Sequence, residues 1–176
     1  QPRSRGLGDV YKRQIDHEPL FWAENQKEVY IIIYILEPKL ISHTDTSIRH
    51  LHFIYNSILD VNNELKKFNR QVNIFFAEGE NVFDYLTTKY QVSNVFSYKE
   101  SGVNLSWQRD KKVLKALNKK RVKWKQFDNQ GVLRGIKDRV GWDKNWFRYI
   151  NSSVVENKFS KTSFKIEKSI YDLSLI

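Results

Sequence analysis

The chain has 176 residues, a length that allows one domain with a short appendage. Of these residues 40% are hydrophobic and 28% are charged, which suffices for a core and excludes a compositionally disordered chain. The absence of cysteine excludes a disulfide framework, a thiolate metal site and a thiol nucleophile. The longest apolar run, residues 29–36, is too short to span a membrane as a helix. The net charge of +10 permits a polyanionic partner without establishing one.

The start of the chain differs from the rest. There is no methionine, and residues 1–14 show no periodicity and an unrelated composition. We expect these residues to be a non-native scar and exclude them from functional interpretation. The Gly6-Leu7-Gly8 sequence does not complete a dinucleotide-binding fingerprint, because Tyr11 stands where the third glycine is needed and no strand precedes it.

Hydrophobic periodicity predicts a regular alternation of helices and strands. In chain order, the predicted elements are a helix over 19–26, a strand over 28–37, a helix over 48–69, a strand over 72–77, a helix of about ten residues around 82–86, a strand over 92–98, a helix over 105–120 and a strand over 122–127. Residues 134–150 are basic and tryptophan-rich and are predicted to form two short helices. Residues 152–176 have the composition of a linker.

Alternating strands and helices predict an α/β fold, a Rossmann-like, doubly wound, mainly parallel sheet of four to five strands with helices on both faces. The first predicted strand is apolar throughout, which is typical of a strand buried on both faces. A sheet of this kind usually has a further strand at its start. We expect the native first strand to be lost, with residues 9–15 in its place, and the chain to be less stable than its parent.

Ligands of open α/β sheets bind at the carboxyl ends of the strands. Three of the four predicted strand ends carry a carboxylate beside a glycine, proline or serine, which suggests a small-molecule crevice. The four ends are Glu37-Pro38, Glu78-Gly79, residues 99–102 and Phe127-Asp128.

The sequence lacks the motifs of several enzyme classes. His50 and His52 are two residues apart, so on a helix they do not form the i, i+4 pair of a metalloprotease, and a zinc site is not expected. The sequence contains no Gly-x-Ser-x-Gly turn and no P-loop. We expect the Arg109-Asp110 pair to brace neighbouring loops through bidentate hydrogen bonds.

The segment 109–148 contains 14 lysines and arginines against four acids, with tryptophans in and beside it. Cationic and aromatic side chains together suit phosphate contacts and base stacking. The same pattern also fits a solvated helix face with tryptophans packed beneath it, and this second interpretation is favoured.

Six motifs, with their order and spacing kept, resemble those of one known family. They are residues 16–20, the Glu37-Pro38 pair, residues 47–58, Gly79 after a strand, residues 100–113 and residues 131–142. From about residue 16 to residue 151 the chain resembles the N-terminal α/β domain of the DNA photolyase/cryptochrome family.

The resemblance implies a fragment of a flavoprotein lyase that repairs pyrimidine dimers by light-driven electron transfer, or of a blue-light sensor. It implies an α/β domain over 15–151 and a linker over 152–176 toward a missing C-terminal helical domain that binds FAD. The fragment alone would hold no catalytic residue and would be inactive. We expect a cytoplasmic monomer that meets damaged DNA through the parent protein, without membrane or metal.

In many relatives this domain holds an antenna chromophore. Folate-binding relatives carry Asn and Glu where this chain has Leu105 and Ser106, so the resemblance favours a deazaflavin or flavin over a folate. The expected contacts in the strand-end crevice are Leu36, Glu37, Arg49 and Glu100.

Two other functions stay open at this point. The chain has the architecture of a stand-alone nucleotide- or small-ligand-binding α/β protein. It also carries, in residues 109–148, the charge of a nucleic-acid-binding module.

Overall fold

A computed structural model describes residues 16–26, 28–100, 104–128, 131 and 136–159. Its elements are, in chain order, α1 (Glu18–Asn25), β1 (Ile32–Leu36), α2 (Pro38–Ile41), α3 (Ile48–Leu65), a 3₁₀ turn (Lys66–Phe68), β2 (Val72–Phe76), α4 (Gly79–Lys89), β3 (Asn94–Tyr98), α5 (Asn104–Lys119), β4 (Lys123–Phe127) and α6 (Trp142–Ile150). Within these residues no helix is long and apolar enough to cross a bilayer.

The four strands form two parallel pairs. β1 pairs with β2 in a register that runs from Ile32 opposite Val72 to Leu36 opposite Phe76. β3 pairs with β4 from Asn94 opposite Lys123 to Tyr98 opposite Phe127. Helices connect the two strands of each pair, as parallel strands require. The predicted parallel α/β fold is confirmed.

Among the described residues, the two pairs are separate two-stranded sheets, and β1 does not pair with β3. A four-stranded sheet would need either direct pairing of these two strands or a further strand between them. The prediction that residues 9–15 replace a first strand lies outside the described residues.

Several predicted boundaries shift for local reasons. Strand 28–37 narrows to the five residues of β1, which are those paired with β2. The helix predicted over 48–69 ends at Leu65 in a 3₁₀ turn, after which Asn69 takes the left-handed conformation with φ 57°. Within 136–159, one helix, α6, is described where two were predicted.

The segment after α6 packs back on the start of α1. The backbone N–H of His17 donates to Asn157 Oδ1 at 2.9 Å, and Asn157 Nδ2 donates to the His17 carbonyl at 3.0 Å. The N–H of Val155 donates to Asp16 Oδ1 at 3.1 Å. The first residues of the predicted linker are therefore part of the folded structure, and residues 160–176 lie outside the described part.

Two hydrophobic clusters make the core of the described part. One centres on Phe75 of β2 and Val82 of α4, with the side chains of β1 packed against it. The other centres on Val113 and Leu117 of α5, with Trp124 of β4 against it. Contacts between α4 and α5 connect the two halves, and α1 covers β3 and β4.

A buried polar cluster fixes the amino ends of β1 and β2. Arg70 pairs with Glu24 of α1 at 2.9 Å, and both side chains are almost fully buried. Arg70 Nε also donates to the Tyr30 hydroxyl at 2.7 Å, and that hydroxyl donates to Glu24. Burial, and then the hydrogen bond to the Glu24 carboxylate, raise the pKa of Tyr30, so the phenol stays protonated. The cluster ties α1 to the first strand pair.

A matched pair of substitutions on α5 tests the placement of the core. Leu117 is 0% exposed and Leu114 is 45% exposed. We expect Leu117→Ala to lower the free energy of unfolding by about 2–5 kcal/mol, because it leaves a cavity, and Leu114→Ala to lower it by less than about 1 kcal/mol. Urea unfolding followed by tryptophan fluorescence measures both. Equal losses would show that α5 presents a different face to the core.

Candidate functional site

The candidate site lies at the carboxyl edge shared by the parallel strands. Glu37 follows β1, Gly79 opens α4 after β2, and Glu100 follows β3. The Glu78 side chain accepts a hydrogen bond from the Lys39 N–H at 3.1 Å, which joins the loops after β1 and β2. The sequence places these carboxylates at one edge because each follows the end of a parallel strand within two residues.

Glu37 is the buried centre of the site. Its side chain is 1% exposed. Oε1 accepts a hydrogen bond from the Gly79 N–H at 2.8 Å, and Oε2 accepts one from Arg109 at 2.5 Å. Both carboxylate oxygens are therefore satisfied, one by backbone and one by a charged partner.

Arg109 of α5 contacts three carboxylates. One terminal nitrogen reaches Glu37, the other donates to Glu100 at 2.9 Å, and Nε donates to Asp110 at 2.8 Å. The planar guanidinium carries donors along several directions, which a lysine ammonium does not provide in this fixed geometry. This arrangement agrees with the bracing role expected for the Arg109-Asp110 pair, and it leaves three carboxylates around one cation.

Burial and nearby charge have opposite effects on the pKa of Glu37. Burial raises the pKa of Glu37, while the Arg109 charge and the Gly79 N–H lower it, and burial is the larger effect. At Arg109, burial lowers the pKa, but the surrounding carboxylates outweigh burial and raise the pKa overall. Arg109 therefore stays charged, and Glu37 is the group of this pair whose protonation responds to pH.

The close approach of Glu37 and Val113 to position 79 requires a glycine there. A Cβ at this position would lie 3.0 Å from Glu37 Oε1 and 3.1 Å from Val113 Cγ2. A side chain would push the carboxylate off its backbone donor. The glycine after the second strand therefore permits the contact between Glu37 and the start of α4.

A cavity of about 1120 Å³ extends from this cluster along the space between β1 and β3. Its walls include Ile33 and Ile35 from β1, and Val95 and Phe96 from β3. Its volume lies slightly above the usual range of small-molecule sites, about 300–1,000 Å³. The site is thus an apolar space with charged groups at its carboxyl end.

Tyr98, the last residue of β3, anchors the chain beside this space. Its hydroxyl donates to the Asp16 carbonyl at 3.2 Å and accepts from the Glu18 N–H at 2.9 Å. Burial raises its pKa to about 12. His17 contacts the Tyr98 ring edge-on at 5.0 Å between centroids, and its Nδ1 accepts from the Leu20 N–H at 3.1 Å, so this histidine caps α1.

The structure brings together two of the four expected chromophore contacts. Glu37 and Glu100 meet through Arg109, and Leu36 precedes Glu37 at the end of β1. Arg49 is exposed in the first turn of α3, and none of the described hydrogen bonds or ion pairs joins it to these residues. The chromophore role of all four stays a prediction, and residues 101–103 lie outside the described part.

Sequence reasoning did not include Arg109 among the chromophore contacts, although it is the side chain that joins Glu37 to Glu100. The available signal was an arginine nine residues after Glu100, at the start of the helix that follows β3. Ser106, at one of the positions that differ from folate-binding relatives, is buried in α5. No group of three or more potential metal ligands occurs among the described residues.

The basic segment is partly neutralised by nearby acids. Lys112 lies 3.5 Å from Glu80, and Lys120 lies 3.7 Å from Asp84, both on α4. Lys125 of β4 lies over the ring of Trp22 at 3.4 Å from its centroid. These contacts agree with the interpretation of a solvated face with an aromatic layer beneath it.

The family model for DNA photolyase matches residues 12–138. In sequence, no curated protein matches the chain. Among solved structures, an archaeal photolyase from Sulfolobus tokodaii, solved with two FAD molecules, matches with a TM-score of 0.66 and 22% identity. The match covers 88% of this chain and 36% of the photolyase chain. The chain thus spans about a third of the length of that protein, and the likeness shows the fold.

The burial of Glu37 predicts how the stability of the folded chain depends on pH. Because its pKa is raised from the ordinary value of 4.5, the folded state holds the proton more tightly than the unfolded chain does. The contribution of Glu37 to stability therefore falls as pH rises through the interval between those two pKa values. We expect the free energy of unfolding of the native chain, minus that of Glu37→Gln, to decrease as the pH rises above the ordinary pKa of 4.5.

Urea unfolding at several pH values measures this difference. Glu80→Gln is the matched control, since its carboxylate pairs with Lys112 nearer the surface. A difference that grows with pH would contradict the account, because it would show that the attraction of Arg109 outweighs burial at Glu37.

Proposed function

Because the chain belongs to the DNA photolyase family, we propose that it is the N-terminal α/β domain of a flavoprotein that uses light for DNA repair or blue-light sensing. The family match covers residues 12–138, and the fold matches that of a solved photolyase. The photolyase chain is much longer than this one, so the activity of the whole protein is part of the proposal.

Within this proposal the domain extends over residues 15–151, and residues 152–176 lead toward a helical domain that holds FAD. Damaged DNA is the partner of the whole protein. The role of the present chain is to hold and orient an antenna chromophore, which passes excitation energy to the FAD when bound.

The antenna site that we propose is the carboxyl-end crevice, and the observation that carries it is the group formed by Glu37, Arg109 and Glu100 at the end of an apolar cavity. A flavin or deazaflavin has a flat ring system with an N–H donor between two carbonyl acceptors. The apolar walls suit the ring faces. The Glu100 carboxylate suits the N–H, and the Arg109 guanidinium suits a carbonyl.

Arg49 has a separate role in this proposal. It lies in the first turn of α3, an 18-residue helix. An exposed guanidinium beside the N–H groups of a helix start favours a phosphate. A phosphorylated flavin would thus be held by its ring at Glu100 and by its phosphate at Arg49. The choice of a flavin as chromophore is supported by the Sulfolobus tokodaii photolyase, whose structure with two FAD molecules was taken to imply a novel light-harvesting cofactor.

Titration of the 176-residue chain with FMN, FAD, a deazaflavin and a methenyl folate tests the proposal, with fluorescence as the readout. We expect saturable binding of the flavins or the deazaflavin at one site, and folate binding at least about tenfold weaker. Glu100→Gln should weaken flavin binding about tenfold, because a hydrogen bond to a charged group is lost.

Glu80→Gln makes the same chemical change away from the crevice and should leave binding unchanged. Absence of flavin and deazaflavin binding would contradict the antenna proposal. A preference for folate would contradict the chromophore class, and equal effects of the two substitutions would contradict the location.

A further inference from the structure

The outward face of α5 carries a row of lysines. Lys111, Lys115 and Lys119 are exposed and follow one another at intervals of four residues. Within the described part of the chain, no hydrogen bond or ion pair involves their ammonium groups. The lysines that face α4, by contrast, lie beside Glu80 and Asp84. The charge of the basic segment is therefore neutralised on the side toward α4 and not along this row.

The row is unfavourable for the helix itself. The one acid of α5, Asp110, is engaged by Arg109 on the inner side. Like charges four residues apart repel one another and destabilise a helix. The helix dipole favours cations only in the last turn, which includes Lys119 but neither Lys111 nor Lys115. A bound polyanion would relieve the repulsion, and nothing in α5 does so.

Arg121 continues the row beyond the end of the helix. It is exposed and has a left-handed backbone conformation with φ 58°, where glycine is the favoured residue. The N–H of Val122 donates to the Leu117 carbonyl at 3.0 Å, and the N–H of Arg121 donates to the Asn118 carbonyl at 3.0 Å. These main-chain bonds close the helix without the arginine side chain. The turn gives no reason for an arginine, and its charge extends the row.

Trp107 stands at the other end of the row. It lies four residues before Lys111 and is 44% exposed. From Trp107 to Lys119 the helix rises about 18 Å, in steps of about 6 Å. One extended strand can therefore place successive phosphates beside successive cations and a base on the indole. Bases in a duplex are already paired and stacked, so an exposed indole beside the cations favours a single strand.

We propose that the outward face of α5 binds single-stranded nucleic acid. We call this surface the α5 stripe, and it consists of Trp107, Lys111, Lys115, Lys119 and Arg121. Its four cations contact about four phosphates, and Trp107 stacks on one base. Recognition of backbone and an unpaired base needs no lesion, no light and no chromophore. The inference goes beyond the antenna proposal, which uses groups at the carboxyl ends of the strands.

Fluorescence anisotropy of a labelled, lesion-free oligothymidylate of about twelve nucleotides tests the proposal on the 176-residue chain in the dark. We expect saturable binding that weakens steeply between about 50 and about 200 mM salt. The double variant Lys111→Gln/Lys115→Gln should bind at least about tenfold more weakly at the lower salt concentration. Its slope of log affinity against log salt should be smaller by about 1.4, since each neutralised phosphate contributes about 0.7.

The helix α6 provides matched controls. Lys144→Gln/Arg148→Gln removes two charges at the same spacing and should change affinity by less than about twofold. Trp107→Ala should weaken binding about tenfold through loss of stacking. Trp142→Ala should not, although its indole is 40% exposed, close to the 44% of Trp107. Thermal melting followed by circular dichroism verifies that each variant is folded.

Four results would overturn the proposal. They are no binding at low salt, equal losses for the α5 and α6 double variants, full affinity of folded Trp107→Ala, and binding of duplex or poly-glutamate as tight as that of the single strand. The last result would make the stripe a site for polyanions in general. Flavin titration of the same double variant separates the two proposals, because chromophore binding should be unchanged when oligonucleotide binding is lost.

Discussion

The ion pair between Arg109 and Glu37 joins the two halves of this structure at the carboxyl edge of the strands. The two residues are 72 positions apart, one at the end of β1 and the other on the helix after β3. Removal of Arg109 would leave a buried carboxylate without its cation, a change that costs several kcal/mol in other proteins. The positions of Gly79 and Glu100 depend on the same pair, because each contacts one of its members.

The amino ends of the strands are held by a different set of side chains. There, Arg70, Glu24 and Tyr30 tie α1 to the first strand pair, and Ser93 reaches Glu28 across the space between the pairs. The two strand pairs are thus held by polar side chains at both ends and by α4 against α5 on one side. The apolar space between them results from this arrangement, and the chromophore proposal places its ligand at the carboxyl end of that space.

Local sequence patterns sufficed to predict the helices and strands but not how these elements pack together. The continuous apolar residues of β1 and the amphipathic spacing of α3 and α5 identify a strand and two helices from sequence alone. The end of α3 depends on Asn69 in a left-handed conformation, and periodicity does not report backbone angles. Glu37 and Glu100 were predictable as strand-end carboxylates. Their connection through Arg109 was not, because a contact across 72 residues depends on how helix and strand pack, and an Arg-Asp pair at a helix start has several possible partners.

A double-mutant cycle measures the central interaction most directly. The free energies of unfolding of the native chain, Glu37→Gln, Arg109→Gln and the double variant give the coupling between the two side chains. The structure predicts a favourable coupling of at least about 1 kcal/mol at neutral pH, since the pair is buried and hydrogen-bonded. Additive effects, within about 0.5 kcal/mol, would contradict the conclusion that this pair joins the two halves.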